Sequence, residues 1–249
     1  AVWSLDEAGE SKVRTAIIHE KLLPHKQGGA EKVVDALLEL HPEADLFCFV
    51  FDEAFVRSRY GKRKVTSSFL QKLPGAKNHL DLYRPLMPLA VEQFDLRGYE
   101  LIISSSHSFE KGIISSPDQL HICYCHTPPR YLWVDPAMHL KRAAVGPLRR
   151  LAPPIQTILR LFDQSGSARV DQFVANSRTV AARIKKFYRR SSMIIHPPVA
   201  TKRFSPRRGS RERLEDYFLL VGRLEPHKEV GLAVKAFNQL GHRLLIVGE

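Results

Sequence analysis

A histidine followed by a proline pair marks the segment of this sequence best suited to chemistry. His126 lies in the block Cys125–Trp133, which directly follows the apolar run Leu120–Cys125. In an open α/β sheet, ligands bind just outside the carboxyl ends of the strands. A histidine at such an end, on a loop stiffened by Pro128 and Pro129, can contact a reacting group. We interpret His126 as a functional residue, with a structural histidine as the alternative.

Two glycines open a predicted helix. Gly28 and Gly29 follow the apolar run Thr15–His19 and precede residues with helical apolar spacing. A helix N-terminus offers free backbone N–H groups and the positive end of the helix dipole, and glycine lets a ligand approach the backbone closely. A plain tight turn explains the pair equally well. The complete pattern Gly-x-Gly-x-x-Gly is absent, which disfavours a nicotinamide-dependent oxidoreductase.

Two further loops carry candidate residues. Arg223 and Lys228 lie five residues apart in a loop that opens with Gly222. Arginine can form two parallel hydrogen bonds and lysine supplies a compact positive charge, so the pair can hold a diphosphate from two directions. An ordinary basic loop has the same composition. His107 follows three serines at the end of another strand candidate. Capping of that loop by the small hydroxyls explains this segment equally well.

Strand-like and helical patterns alternate along the chain, which predicts a parallel sheet with helices on both faces. Apolar runs predict strands at Thr15–His19, Ala44–Phe51, Leu101–Ser104, Leu120–Cys125, Gln172–Ala175, Met193–His196, Tyr217–Val221 and Arg243–Val247. We expect one Rossmann-like domain over 13–198. Residues 199–249 then begin a second domain with a single βαβ unit, which is too small to be a domain by itself. We therefore expect the chain to be truncated.

The composition excludes several classes of protein. With 44% hydrophobic residues in 249, the chain can bury a sizeable core, and disorder is not expected. No stretch reaches the roughly 18 to 20 apolar residues of a membrane-spanning helix, and the polar start does not resemble a secretory signal. We expect a cytoplasmic protein. The three cysteines, Cys48, Cys123 and Cys125, predict buried core residues rather than disulfides or metal ligands.

The charge points to a partner that carries phosphate. There are 38 Lys and Arg against 26 Asp and Glu, a net charge of +12. The basic clusters are not interleaved with aromatic residues, so no nucleic acid is expected and an anionic membrane surface is the better candidate. Residues 147–162 mix apolar side chains with arginines. This pattern fits an interfacial helix peripheral to a membrane and fits equally well a basic helix packed on the core.

Four blocks, in this order and spacing, resemble glycosyltransferase family four, and in particular its bacterial mannosyltransferase-like members. They are Gly28–Glu31, Cys125–Trp133, Val174–Ser177 and Phe218–Lys228. The resemblance implies a GT-B-like α/β fold, with a cleft between two Rossmann-like domains. The first domain takes the acceptor, and the second takes a nucleoside-diphosphate sugar. Retention of anomeric configuration and metal-independent transfer are expected, with no cofactor.

The resemblance also implies roles for individual residues. Arg223 and Lys228 would hold the donor diphosphate, the Gly28-Gly29 turn would lie near the transferred sugar, and His126 would contact that sugar. The residues assigned to the acceptor side are His107, Arg130, Tyr131, Trp133 and Asn176. The first guess for the donor is GDP-mannose, and the expected acceptor is lipid-linked or a growing polysaccharide.

Some positions depart from the family pattern. Val134 separates Trp133 from the acidic Asp135, and Ala200 stands where an aspartate commonly follows Pro-Pro-Val. The family's paired glutamates of the donor domain are also not found before Glu249. These differences motivate an alternative from another class: a catalytically inactive remnant that binds a partner or an anionic membrane surface.

Overall fold

The computed structural model of the chain describes residues 13–25, 27–134, 136, 152–201, 216–222, 224 and 228–248. The chain divides into two compact units, which we call the first unit (Ala1–Val199) and the second unit (Ala200–Glu249). Each unit is described by itself below. Which substrate each unit serves stays a prediction.

The first unit is built on a seven-stranded sheet in which every neighbouring pair of strands is parallel. The strand order is β3-β2-β1-β4-β5-β6-β7. The strands are β1 (Thr15–Leu22), β2 (Asp45–Phe51), β3 (Val65–Ser67), β4 (Leu101–Ser106), β5 (Leu120–Cys125), β6 (Gln172–Ala175) and β7 (Met193–Ile194). The chain winds outward from β1 in one direction and then returns to add β4 on the other side. The sheet therefore has a topological switch point between β1 and β4.

Helices connect these strands, which confirms the predicted α/β class. The α-helices of the described residues in this unit are α1 (Gly29–Leu40), α2 (Glu53–Tyr60), α3 (Met87–Glu92), α4 (Arg130–Trp133), α5 (Ala152–Ala168) and α6 (Arg178–Tyr188). Short 3-10 helices lie at Phe69–Lys72, Leu80–Leu86 and Glu110–Gly112. The predicted cap of α6 is present, since the Ser177 hydroxyl accepts a hydrogen bond from the Val180 N–H at 3.3 Å. No helix of the described residues combines the length and apolar character needed to cross a bilayer.

Four strands differ by two residues or more from the sequence-based expectation, among them β4, which continues beyond Ser104 to Ser106. β1 continues beyond His19 to Leu22, because Glu20 and Lys21 pair with each other and can lie within a mostly buried strand. β7 is limited to Met193–Ile194 rather than extending to His196. β3 was not predicted at all, since its three residues Val-Thr-Ser carry no apolar alternation by which to recognise it.

The core lies on both faces of the sheet, as expected for parallel strands covered by helices. Ala16 and Ile18 of β1 pack into the cluster that also holds Phe49, Met87 and Leu159. The alternate residue Ile17 points to the opposite face, where it packs with Val34 and Leu38 of α1. The three cysteines are free and buried, as predicted.

The second unit has the predicted βαβ arrangement. Strands β8 (Phe218–Val221) and β9 (Leu244–Val247) pair in parallel, and helix α7 (Val230–Leu240) connects them. No residue of α7 is buried in the described structure.

Candidate functional site

The candidate site lies where β1 and β4 part. Their Cα partners run from Thr15 with Leu101 to Ile18 with Ser104. Beyond that point a side chain joins the strands, because His19 Nδ1 lies 3.3 Å from the carbonyl oxygen of Ser105. We call this region the crevice, and its residues are His19, Glu20, Gly28, Gly29, Glu31, Ser105, His107, Glu110 and His126.

The N-terminus of α1 forms one wall of the crevice. Gly28 is the N-cap, and its N–H donates to Glu31 Oε2 at 2.6 Å. Glu31 Oε1 in turn lies 3.5 Å from Nε2 of the buried His19. Burial alone would raise the pKa of Glu31, but His19 and nearby backbone N–H groups outweigh it and lower that pKa to about 2. Glu31, which His19 of β1 contacts, therefore holds the glycine turn in place.

The turn itself is open. A Cβ built on Gly29 would meet no heavy atom of the described residues within 4 Å. The backbone at the first turn of α1 is thus accessible from the crevice, and its orphan N–H groups can face a ligand.

His107 is clamped between two buried carboxylates. Its Nε2 lies 3.2 Å from Glu20 Oε2, and its Nδ1 lies 3.4 Å from Glu110 Oε1. The other oxygen of Glu110 accepts hydrogen bonds from the N–H groups of His107 and Ser108 and from the Ser106 hydroxyl. Burial opposes protonation of the imidazole, but the two carboxylates outweigh it and raise the pKa of His107 to about 9. At neutral pH this histidine is an imidazolium.

Glu20, His107 and Glu110 also form a group of metal-ligand type, since one ligand atom of each lies within 4.8 Å of the others. The two imidazole nitrogens face different carboxylates, and Lys21 Nζ lies 2.7 Å from Glu20 Oε2. Together with Lys21, the group pairs two basic side chains with two carboxylates. The expected absence of a metal cofactor stays a prediction.

His126 is the neutral histidine of the crevice. Its Nε2 lies 2.8 Å from the Ser105 hydroxyl, and its ring centroid is 6.3 Å from that of His107. Burial and then the neighbouring His107 charge lower the pKa of His126 to about 3. Asn176, at the end of β6, donates from Nδ2 to the carbonyl oxygen of His126 at 2.9 Å. Ser105 of β4 thus holds the ring of His126, and Asn176 holds its backbone. The imidazole is uncharged at neutral pH.

The remaining predicted residues of the β5 loop are engaged with the protein itself. The Tyr131 hydroxyl lies 2.9 Å from Ser108 Oγ, and the Arg84 guanidinium lies 4.3 Å from the Tyr131 ring centroid. The indole N–H of Trp133 donates to Asp163 Oδ2 at 2.7 Å. Arg130 begins α4 and is half-buried. Trp133 therefore anchors the loop to α5, and its predicted contact with an acceptor stays a prediction.

The structure brings Gly28, Gly29, His107 and His126 together, with Asn176 supporting His126. Lys228 is exposed just before α7 in the second unit. Arg223 lies outside the described residues.

Sequence reasoning missed four charged or ionisable residues of the crevice: His19, Glu20, Glu31 and Glu110. Three signals could have found them. His19 and Glu20 extend the carboxyl end of β1, Glu31 stands three residues after the N-cap as in a capping box, and Glu110 stands three residues after His107.

A cavity of about 650 Å³ lies away from this site. It is formed around α2 and the neighbouring ends of β2 and β3, and its lining includes Phe51, Val56, Arg57 and Arg63. Its mixed apolar and basic lining presents no constellation of reactive groups.

No model of a known protein family matches the chain. No curated protein matches it either. Among solved structures, it is similar to the lipopolysaccharide outer core galactosyltransferase WaaB (14% identity, TM-score 0.46, 94% of this chain and 60% of that one). It is also similar to a glycosyltransferase from Rickettsia africae ESF-5 (13%, 0.45, 95% and 61%) and to the glycotransferase of kitacinnamycin (11%, 0.39, 95% and 66%). The chain thus spans about three fifths to two thirds of the length of these proteins.

Proposed function

We propose that the chain is part of a retaining GT-B glycosyltransferase, which moves a sugar from a nucleoside-diphosphate sugar to an acceptor. The observation that carries this proposal is the crevice, where an open glycine-led helix N-terminus and a neutral histidine meet at the β1–β4 switch point. Such a switch point is where open α/β sheets bind ligands. Two of the four sequence blocks that resemble family-four glycosyltransferases supply its glycines and its histidine.

The donor is bound through complementary charge. In this proposal Arg223 and Lys228 of the second unit neutralise the diphosphate, and no metal is required. The N–H group of Gly29 faces the sugar end of the donor, since that of Gly28 already donates to Glu31. A neutral His126 can donate or accept one hydrogen bond with a sugar hydroxyl. Because it is uncharged, it neither repels nor attracts the positive charge that develops on the sugar ring.

The reaction forms a bond between the acceptor oxygen and the anomeric carbon on the face from which the diphosphate leaves. The bond from the anomeric carbon to the phosphate oxygen breaks through an oxocarbenium-like transition state, and the acceptor proton passes to the departing phosphate. Positioning and stabilisation of the leaving group supply the rate enhancement. His107 does not serve as a base here, because it is already protonated at neutral pH.

Mannose from GDP-mannose is the proposed donor group. The proposed acceptor is lipid-linked or a polysaccharide, handled at the cytoplasmic face of a membrane. His107, Arg130, Tyr131, Trp133 and Asn176 are the proposed acceptor-side residues, of which Asn176 acts by holding His126.

Calorimetric titration with GDP, UDP, ADP and their sugars tests the donor site. We expect one base to be preferred and binding to be lost in the Arg223→Ala/Lys228→Ala variant. The control Lys235→Ala/Arg243→Ala removes two cations from the same unit and should bind as the wild type does. Binding without base preference that survives loss of Arg223 and Lys228 would contradict the proposal.

A second titration separates the sugar from the nucleotide. His126→Ala should weaken binding of GDP-mannose by about tenfold and leave binding of GDP unchanged, since one hydrogen bond to the sugar is lost. Equal weakening of both ligands would exclude a sugar contact. If no nucleotide binds to any form, the result favours the inactive remnant as the function of this chain.

A further inference from the structure

Ser105 of β4 is fully buried, and its hydroxyl has a single hydrogen-bond partner among the described residues. That partner is Nε2 of His126, at 2.8 Å. A buried O–H group that donates to no acceptor has lost its hydration without compensation, which is costly. The hydroxyl proton therefore points at this nitrogen. It follows that Nε2 of His126 accepts the hydrogen bond and carries no proton.

The other ring nitrogen of His126 then carries the proton. The ring is uncharged at neutral pH, so it has one N–H group, and that group is Nδ1–H. Nδ1 makes no hydrogen bond to the described part of the chain. Unlike the Nδ1 atoms of His107 and His121, it is not shut off from solvent. A ligand in the crevice can therefore meet an N–H donor at this point.

The Ser105 hydroxyl is held in place from both neighbouring strands. On the β1 side, Nδ1 of the buried His19 lies 3.3 Å from the carbonyl oxygen of Ser105, which can only accept, so His19 donates. On the β5 side, the backbone N–H of His126 donates to the carbonyl oxygen of Ser106 at 2.8 Å. The serine and the histidine therefore face each other on a backbone that leaves little freedom to either.

A second serine–histidine pair on the same strand provides a comparison. Ser104 Oγ lies 2.8 Å from Nε2 of His121, and both residues are fully buried. Successive side chains of a strand point to opposite faces of the sheet, so this pair lies on the other side from Ser105. Nδ1 of His121 is also buried. The two pairs share their geometry, but only the pair at the crevice can offer its second nitrogen to a ligand.

We propose that Ser105 is a positioning residue, which fixes His126 as the tautomer with its proton on Nδ1 and so makes the ring a hydrogen-bond donor to the crevice. A ligand group in contact with this nitrogen has to offer a lone pair, as a hydroxyl or ether oxygen does. That the group belongs to the donor sugar rests on the proposed function, while the tautomer itself does not.

Long-range proton–nitrogen NMR spectra of the isotope-labelled chain read the tautomer directly. At neutral pH we expect Nδ1 of His126 at the chemical shift of a protonated ring nitrogen, and Nε2 at the shift of an unprotonated one. Comparison with His126→Gln identifies the signals of this histidine. A wild-type spectrum with the proton on Nε2 would overturn the proposal, because the Ser105 hydroxyl would then be the acceptor.

Ser105→Ala removes the hydroxyl and should release the tautomer. The proton then exchanges between both nitrogens, so their chemical shifts should move towards each other. Ser104→Ala is the matched control, since it removes the hydroxyl of the other pair and should leave the His126 shifts as in the wild type. Circular dichroism checks that both variants are folded. Unchanged His126 shifts in Ser105→Ala, or the same change in Ser104→Ala, would overturn the proposal.

A titration separates positioning of His126 from general support of the crevice. Ser105→Ala should weaken binding of GDP-mannose by less than the roughly tenfold loss expected for His126→Ala, and should leave GDP binding unchanged, because the hydrogen bond is loosened and not removed. Equal weakening of both ligands would show that Ser105 supports the crevice as a whole. The NMR spectra contain no nucleotide, so a failure of all forms to bind nucleotides would contradict the proposed function and leave the tautomer assignment standing.

Discussion

The two units bury their apolar residues to very different extents. In the first unit, both faces of the sheet are covered, and residues such as Phe49, Leu46 and Phe173 are almost completely buried. In the second unit, Phe218, Leu219 and Val221 of β8 are more than half exposed, and α7 buries no residue. The same strand–helix–strand pattern thus gives a packed core in one unit and an open layer in the other.

The difference shows how much a parallel sheet depends on its neighbours. A single βαβ unit can cover only one side of two strands, whereas parallel sheets are stable when both sides are covered. Repeating the motif in the first unit supplies helices on both faces and strands on both edges of β1. The first unit therefore has the packing to hold charged groups such as His107 in defined positions.

The largest expected effect comes from emptying the packed core. Phe49→Ala should lower the free energy of unfolding by about 3 to 5 kcal/mol, since it leaves a cavity in the core between the sheet and the helices packed on it. Phe218→Ala is the counterpart in the second unit. Phe218 is 55% exposed and contacts Phe237 edge-on at 5.0 Å, so its loss should cost about 1 kcal/mol or less. Urea denaturation of both variants measures the difference, and equal losses would contradict the comparison.

A buried ion pair should come next. Asp163 is 1% exposed and pairs with Lys111, while Trp133 and Tyr188 also donate to it. Asp163→Asn should destabilise the first unit by about 3 to 5 kcal/mol, because the Lys111 charge stays buried without an opposite charge beside it.

Two controls accompany this variant. Lys111→Met added to Asp163→Asn should recover part of the loss, because it removes the uncompensated charge. Asp95→Asn breaks a fully exposed pair with Arg97 and should leave the urea midpoint unchanged. No recovery on adding Lys111→Met would show that the cost lies in packing rather than in charge.

The fold of both units could be predicted from the sequence, but the residues of the candidate site only in part. Apolar runs identified most strands, and Ser177 was recognisable as a cap because its preference is local. His126 was identified as a candidate because it stands at a strand end, and its functional role stays a prediction. The contact between His107 and Glu20 could not be predicted, since the two residues lie 87 positions apart and only the fold brings the ends of β1 and β4 together.

A glycine in the second unit provides a local test. A Cβ on Gly248 would lie 1.8 Å from the carbonyl oxygen of Gly222, so an alanine there forces the ends of β8 and β9 apart. Gly248→Ala should speed hydrogen exchange at Leu245–Val247 without changing exchange in the first unit. Gly231→Ala is the control, since its Cβ would meet no heavy atom of the described residues within 4 Å. Exchange in β9 that matches the wild type would show that the two strand ends do not approach as described.

The smallest effect concerns the crevice, where stability should depend on pH through His107. Its folded pKa is about 9, above the ordinary 6.5, because the Glu20 and Glu110 carboxylates outweigh burial and the opposing charge of Lys21. A raised pKa stabilises the fold fully below pH 6.5, and this contribution is lost as pH rises towards 9. His107→Gln should therefore narrow the difference in urea midpoint between these two pH values. His242→Gln, in the second unit, is the control and should leave that difference as in the wild type. If His107→Gln also leaves the difference in urea midpoint unchanged, His107 is not held as an imidazolium. The two units would then not differ in the pH dependence of their stability.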